Sequence, residues 1–317
     1  TEYTAELPIK LMNGQNRIKY SVYNTKGAKS LSENIDVVYE PAIPLKPKVY
    51  FAGIGVSTYK DSRMNLKYAD KDIRDIATEV KAKFAGSEVI TLLNADATVA
   101  NIKQLKQKFI QTNVDDIIIL YISGHGLLNN SADFFYATYE TNFTAPDLTA
   151  LPYKDIEELL DGVPARKKLV MIDACHSGEA DKSDKALTAN LATNVKPTLS
   201  PGAKGFGKTP AKQTGLQNSF MLMQNLFVDL NEGSGAVVIS AAAGDSFALE
   251  SPRWNNGIFT YSVIKALKDN EADYNKDQQI NLSELRKYVY ETVSKETGGK
   301  QQPTTREENL GFDWQVW

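Results

Sequence analysis

Four apolar runs set the terms for this chain: KVYFAGIGVS (48–57), DDIIILYISGHG (115–126), KKLVMIDACHSG (167–178) and GAVVISAAAG (235–244). A strand with one wet face alternates apolar and polar residues, so runs without alternation need cover on both faces. Helical periods lie between them: Leu66, Ala69, Ile73, Ile76 and Val80, then TVANIKQLKQKFI (98–110), YKDIEELLDG (153–162) and IFTYSVIKAL (258–267). SEVITLLN (87–94) is a shorter strand candidate. Strand–helix alternation predicts an α/β fold, a three-layer α/β/α sandwich around a mostly parallel sheet. In such sheets ligands bind beyond the carboxyl ends of the strands.

Residues 1–40 follow another pattern. YTAELPIKL, NRIKYSVYN and ENIDVVYE alternate polar and apolar residues, with Asn13-Gly14 and Lys26-Gly27 between them. They read as three antiparallel strands, a small all-β appendage in the form of a hairpin or the end of an immunoglobulin-like sandwich. A proline-rich linker (41–47) separates it from the α/β domain (48–317). The first residues read as a strand rather than a signal peptide, which favours a cytoplasmic location, and an upstream recognition domain is expected. A net charge of −3 gives no reason to expect nucleic acid or an anionic membrane as a partner.

Two of the apolar runs end in reactive residues. Ser123-Gly124-His125-Gly126 closes one, and Asp173-Ala174-Cys175-His176 closes another. Cys175 is the only cysteine, so no disulfide forms within the chain. A thiol attacks a carbonyl efficiently when a base takes its proton and backbone donors hold the oxyanion. A cysteine after a hydrophobic strand is usually a small buried hydrophobe, and a histidine between glycines is often a turn residue. Each closing a buried strand, the two together point to a nucleophile and its base. His176 is the neighbour of Cys175, and adjacent residues on an extended segment face opposite ways, so His125 is the preferred base.

YISGHG with MIDACHSG resembles the caspase-like cysteine peptidases, the metacaspase and bacterial orthocaspase branch in particular. The resemblance runs from about Lys48 to the C-terminus and includes LKYADKDIRDI, AVVISAAAGDSFALE and NNGIFTYSVIKAL. It implies a caspase-like fold with Cys175 as nucleophile, His125 as general base and acid, and the amides of Gly126 and Cys175 as the oxyanion hole. No cofactor is required for that chemistry.

Asp173 lies two residues before Cys175, on the same face of an extended strand. Caspases that cut after aspartate usually carry Gln-Ala-Cys where this chain has Asp-Ala-Cys. A carboxylate there repels acids and attracts a guanidinium or ammonium group. The resemblance adds a second acid from LKYADKDI, Asp72, with Asp70 the alternative; both could equally be solvated acids in the first turn of a helix. Two carboxylates around one pocket imply cleavage after Arg or Lys. Two other readings stay open: a catalytically silent scaffold of the same fold, and another thiol acyl hydrolase.

Residues 179–215 form a long stretch without periodicity, expected to be a flexible processing loop. Lys182, Lys185, Lys196, Lys204, Lys208 and Lys212 are its candidate autoprocessing sites, and a solvated linker explains the same composition. DYNKDQQINLSE (273–284) resembles an EF-hand loop, with Asp273, Asn275, Asp277, Gln279, Asn281 and Glu284 at the ligand positions for Ca²⁺. It departs from that pattern at Gln278, where the sharp turn normally uses glycine.

Overall fold

The computed structural model describes residues 4–43, 46–129, 133–176, 235–241, 248–303 and 313–317. Its centre is a seven-stranded sheet. Five strands run parallel in the order β4 (Glu88–Leu93), β3 (Val49–Gly55), β5 (Ile117–Leu128), β8 (Lys167–His176), β9 (Val237–Ser240). β5 outruns β3, and its last residues pair antiparallel with β6 (Phe134–Tyr136), which pairs in turn with β7 (Leu151–Pro152).

Helices cover both faces, as strands with no polar side require. One face packs Tyr50, Ala52, Ile54, Ile118, Leu120, Val170 and Ile172 against α2 (Val99–Gln104), α3 (Lys106–Phe109) and α5 (Tyr153–Leu160). The other packs Phe51, Ile117, Ile119, Tyr121, Leu169 and Met171 against α1 (Ala69–Lys83), α6 (Ile258–Lys268) and α7 (Leu282–Glu296). Even-numbered strand residues thus face one layer and odd-numbered ones the other, the period of two that a pleated strand imposes. The short helix α4 (Pro146–Thr149) precedes β7, and the ribbon β10 (Glu250–Ser251) with β11 (Asn256–Gly257) leads into α6. Among the described residues no helix is long and apolar enough to cross a membrane.

α1 lies unusually close to β3. A Cβ on Gly55 would come within 2.5 Å of the Ala69 carbonyl oxygen, and one on Gly53 within 2.3 Å of Ile73. The start of α1 is held by tertiary acceptors instead of a side-chain cap of its own. The Glu250 carboxylate accepts the Lys67 and Tyr68 amides at 3.0 and 3.3 Å, and Ser57 Oγ accepts the Asp70 amide at 2.9 Å. This close seat carries the first turn of α1 to the carboxyl end of β5.

The N-terminal appendage has two strands where the sequence pattern predicts three. β1 (Gly14–Tyr20) and β2 (Glu33–Tyr39) pair antiparallel, while residues 4–12 form no strand. Pro8 lacks a backbone donor, which disfavours a paired strand there. Asn13-Gly14 accordingly enters β1 and does not join two strands. The ribbon is fastened to the α/β domain through the Asn13 amide, which donates to Asp115 Oδ1 at 2.7 Å.

Candidate functional site

β5 and β8 run side by side to the carboxyl edge of the sheet, with Ser123 opposite Asp173, His125 opposite Cys175 and Gly126 opposite His176. Neighbouring strands lie about 4.8 Å apart, so the backbone brings the histidine and the cysteine to adjacent positions. Gly126 also pairs with Tyr136 of β6 on the other edge of β5.

At Gly124 the alternation of β5 breaks. Tyr121 packs with the α1/α6 layer, whereas Leu127, also odd-numbered, packs with the α2/α5 layer. Gly124 has a φ of 156°, and a Cβ there would lie 3.0 Å from the hydroxyls of Tyr136 and Tyr59. A glycine is therefore needed where the strand changes face. Beyond it the buried His125 ring meets Tyr59 and Phe143, with ring centroids 5.1 and 5.7 Å away. Its backbone amide donates to the Tyr59 hydroxyl at 3.0 Å, and burial pushes that phenol's pKa up. His125 Nε2 lies 2.8 Å from the carbonyl oxygen of Met64, at the end of the short 3₁₀ turn Ser62–Met64. A carbonyl can only accept, so Nε2 carries a proton, and in the neutral ring Nδ1 carries the lone pair.

The other layer holds acids. Asp72 is fully buried and accepts from Ser123 Oγ at 3.1 Å, from Asn256 Nδ2 at 3.0 Å and from the Gly257 amide at 3.0 Å. Asp173, equally buried, accepts from Thr260 Oγ1 at 2.9 Å. Ser123 donates to Asp72 and lies opposite Asp173 in the β5/β8 register. Both charges also bear on Tyr121, whose pKa is raised well above its ordinary value, first by burial and then by Asp173 and Asp72. A buried carboxylate is tolerable when charge-assisted hydrogen bonds surround it, which is the arrangement at Asp72. Asp70, the alternative acid, points elsewhere: it pairs with Arg74 at 3.4 Å and accepts from Asn94 Nδ2 at 3.3 Å.

The register thus brings His125, Gly126, Cys175 and Asp173 to one end of the β5/β8 pair, and Asp72 of α1 reaches the same end through its bond to Ser123. Residues 273–284 lie apart from it. There Asp273 accepts the Asp277 and Gln278 amides, Asp277 accepts the Gln279 amide, and Glu284 accepts those of Tyr274 and Asn281. Asn281 and Glu284 form a reciprocal capping box at the start of α7. Gln278 takes the left-handed φ of 66° that glycine usually supplies. Among the described residues no group of three or more His, Cys, Asp or Glu side chains is arranged to hold a metal ion. The lysines at 182, 185, 196, 204, 208 and 212 lie outside the described residues.

Tyr59, Met64, Asn256 and Thr260 are absent from the sequence-derived set. Met64 acts through a carbonyl, which any residue has. Thr260 leaves a trace, being a polar residue on the buried side of an apolar helix. Asn256-Gly257 before that helix reads as an ordinary helix entry.

A family model described as the caspase domain of Peptidase C14 matches residues 53–313. Among 199 matching chains of solved structures is the crystal structure of protein GSU0716 from Geobacter sulfurreducens. It is 16% identical, with a TM-score of 0.55, over 83% of this chain and 96% of that one, a likeness of fold. No curated protein matches the chain.

Proposed function

This chain belongs to the Peptidase C14 caspase-domain family, and we propose that it is a cysteine endopeptidase cutting after Arg or Lys. The observation that carries the reading is the β5/β8 register, with His125 opposite Cys175 and the imidazole Nε2 anchored on Met64. In this mechanism the Cys175 thiol gives its proton to His125 as sulfur attacks the scissile carbonyl. The amides of Gly126 and Cys175 hold the oxyanion, a role worth roughly 3 kcal/mol per donor in well-studied hydrolases. His125 returns the proton to the leaving amine as the C–N bond breaks, leaving a thioester. Water, deprotonated by the same imidazole, attacks the thioester and releases the acid and the thiol. The anchored Nε2–H fits this cycle, because it holds the ring and leaves Nδ1 as the nitrogen that exchanges the proton.

Selection for a basic residue is supported by Asp72 and Asp173, two buried carboxylates beside the strand ends, one bonded to Ser123 and the other opposite it in register. A Lys or Arg side chain between them would cancel one of the two negative charges and donate charge-assisted hydrogen bonds to the carboxylates. Processing within 179–215 after one of its lysines follows from the same preference, and calcium at 273–284 would act away from the reacting groups. A peptide library with Arg, Lys, norleucine or Asp before the scissile bond tests the proposal. Cleavage after Arg and Lys by the wild type, and none by Cys175→Ala, is expected. Cleavage after Asp alone would reject the specificity, and failure of a thiol-directed peptide probe to label Cys175 would reject the peptidase.

A further inference from the structure

One short stretch reaches both buried acids. Asn256 Nδ2 and the Gly257 amide each donate to Asp72 Oδ1 at 3.0 Å, and three residues on Thr260 Oγ1 donates to Asp173 Oδ2 at 2.9 Å. The acids themselves come from α1 and β8, elements that share no strand pairing. The N-terminal turn of α6 is therefore the common support of the pair, and the positive end of the helix dipole favours the negative charge gathered there.

Proton counting orders the Thr260 contacts. A threonine hydroxyl has one proton, and the Asp173 carboxylate takes it. The contact between Thr260 Oγ1 and Tyr121 Oη, at 2.8 Å, must then be donated by the tyrosine. The result is a directed chain from Tyr121 O–H to Thr260 and from Thr260 O–H to Asp173. Tyr121 keeps its proton because burial and the two carboxylates both oppose its ionisation. Every member is fully buried, so water does not compete for these bonds.

We propose that Thr260 is the positioning residue for Asp173, fixing the carboxylate plane so that it meets the basic side chain preceding the scissile bond. The proposal rests on the reading of Asp173 as an acid of that pocket. A hydroxyl is essential at 260, while the methyl group is dispensable. Tyr121 acts one step further back, by pointing the Thr260 proton at the carboxylate.

The test uses steady-state kinetics on peptides with Arg, Lys or norleucine before the scissile bond. Thr260→Val keeps the side-chain shape and deletes the hydroxyl. It is expected to raise KM for Arg and Lys peptides about tenfold, equivalent to ~1.4 kcal/mol, with kcat and the norleucine reaction nearly unchanged. Thr260→Ser should restore wild-type KM. In an Asp173→Asn background Thr260→Val should add no further effect, since the residue it positions has lost its charge. Tyr121→Phe alters little volume and should move KM the same way by about threefold, giving a reading even where the valine variant does not fold. Equal loss of kcat on all peptides without rescue by serine, full additivity with Asp173→Asn, or unchanged KM would overturn the proposal. A wild type indifferent to Arg and Lys would remove the acidic-pocket reading and this proposal with it. A selective wild type whose selectivity survives Thr260→Val would remove this proposal alone.

Discussion

Asp72 offers the sharpest test of the acidic pocket, because its charge and its hydrogen bonds can be removed separately. Its Oδ1 accepts both Asn256 Nδ2 and the Gly257 amide, and its Oδ2 accepts Ser123 Oγ. Asp72→Asn keeps an oxygen at the Oδ1 position for the first two donors. The new Nδ2 faces Ser123, whose hydroxyl can turn to accept. The number of bonds is unchanged, so the folding cost should stay below about 1 kcal/mol, and loss of a buried charge offsets part of it. The loss to a bound cation is larger. A unit charge at about 4 Å is worth ~4 kcal/mol at an effective dielectric of ~20, and half of that after desolvation leaves ~2 kcal/mol. That corresponds to about a 30-fold fall in kcat/KM for Arg peptides with norleucine peptides unaffected. Asp72→Ala instead strands all three donors in the interior and should cost roughly 3–5 kcal/mol of stability in urea unfolding. If Asp72→Asn cleaved Arg peptides within twofold of wild type, the charge would have no part in recognition. If Asp72→Ala unfolded at the wild-type urea concentration, the hydrogen-bond accounting itself would be wrong.

Two further outcomes follow from other parts of the fold. Tyr59→Phe deletes the acceptor of the buried His125 amide, and should lower stability by about 1–3 kcal/mol while reducing kcat alike on every peptide. A selective change in KM would assign Tyr59 to substrate recognition instead. Lys168, buried on β8, has its pKa pushed down to about 8 by burial and by the cations Arg166 and Lys106, with Asp161 opposing them. Between pH about 8 and the ordinary lysine value near 10.4 the unfolded chain holds this proton and the folded one releases it, so stability rises with pH there. The stability advantage of Lys168→Met over wild type should therefore shrink by about 3 kcal/mol between pH 7 and 10.5, at ~1.4 kcal/mol per pH unit of displacement. A constant difference across that range, measured by urea unfolding, would mean that Lys168 titrates normally.

The sheet was readable because burial on both faces writes itself into composition: the runs at 48–57 and 167–178 contain the strands β3 and β8, and the run at 115–126 holds all but the last two residues of β5. Helix α6 falls where IFTYSVIKAL places it, since its inward positions repeat with helical period. The predicted strand before Asn13 does not form, because alternation describes a face and says nothing of a partner edge. The choice of Asp72 over Asp70 came from resemblance, and packing supplies its physical reason. Position 72 faces the core beside Ile73 and Ile76, while position 70 looks out towards Arg74. The supports of the site were least visible. Met64 contributes a backbone atom, and Asn256, Gly257 and Thr260 meet their acids only through tertiary packing of α6 on α1 and β8.

The break at Gly124 gives this hidden part a logic. Before it, Tyr121 and Ser123 turn towards α1 and α6, where the acids sit; after it, His125 and Leu127 turn towards the opposite layer. One strand thus contributes to two settings on opposite faces of the same sheet. The acids are held by α1, β8 and α6, and the imidazole by Tyr59, Met64 and Phe143. Without a change of face, odd-numbered His125 would follow Ser123 into the acid layer, where two carboxylates would favour its protonated form and spoil it as a base. With the change, the ring rests on neutral partners while Asp173 stays opposite Ser123, two residues back on the same strand. The glycine before the histidine therefore does more than relieve crowding: on the proposed reading it separates proton transfer from charge recognition within a few residues of a single strand.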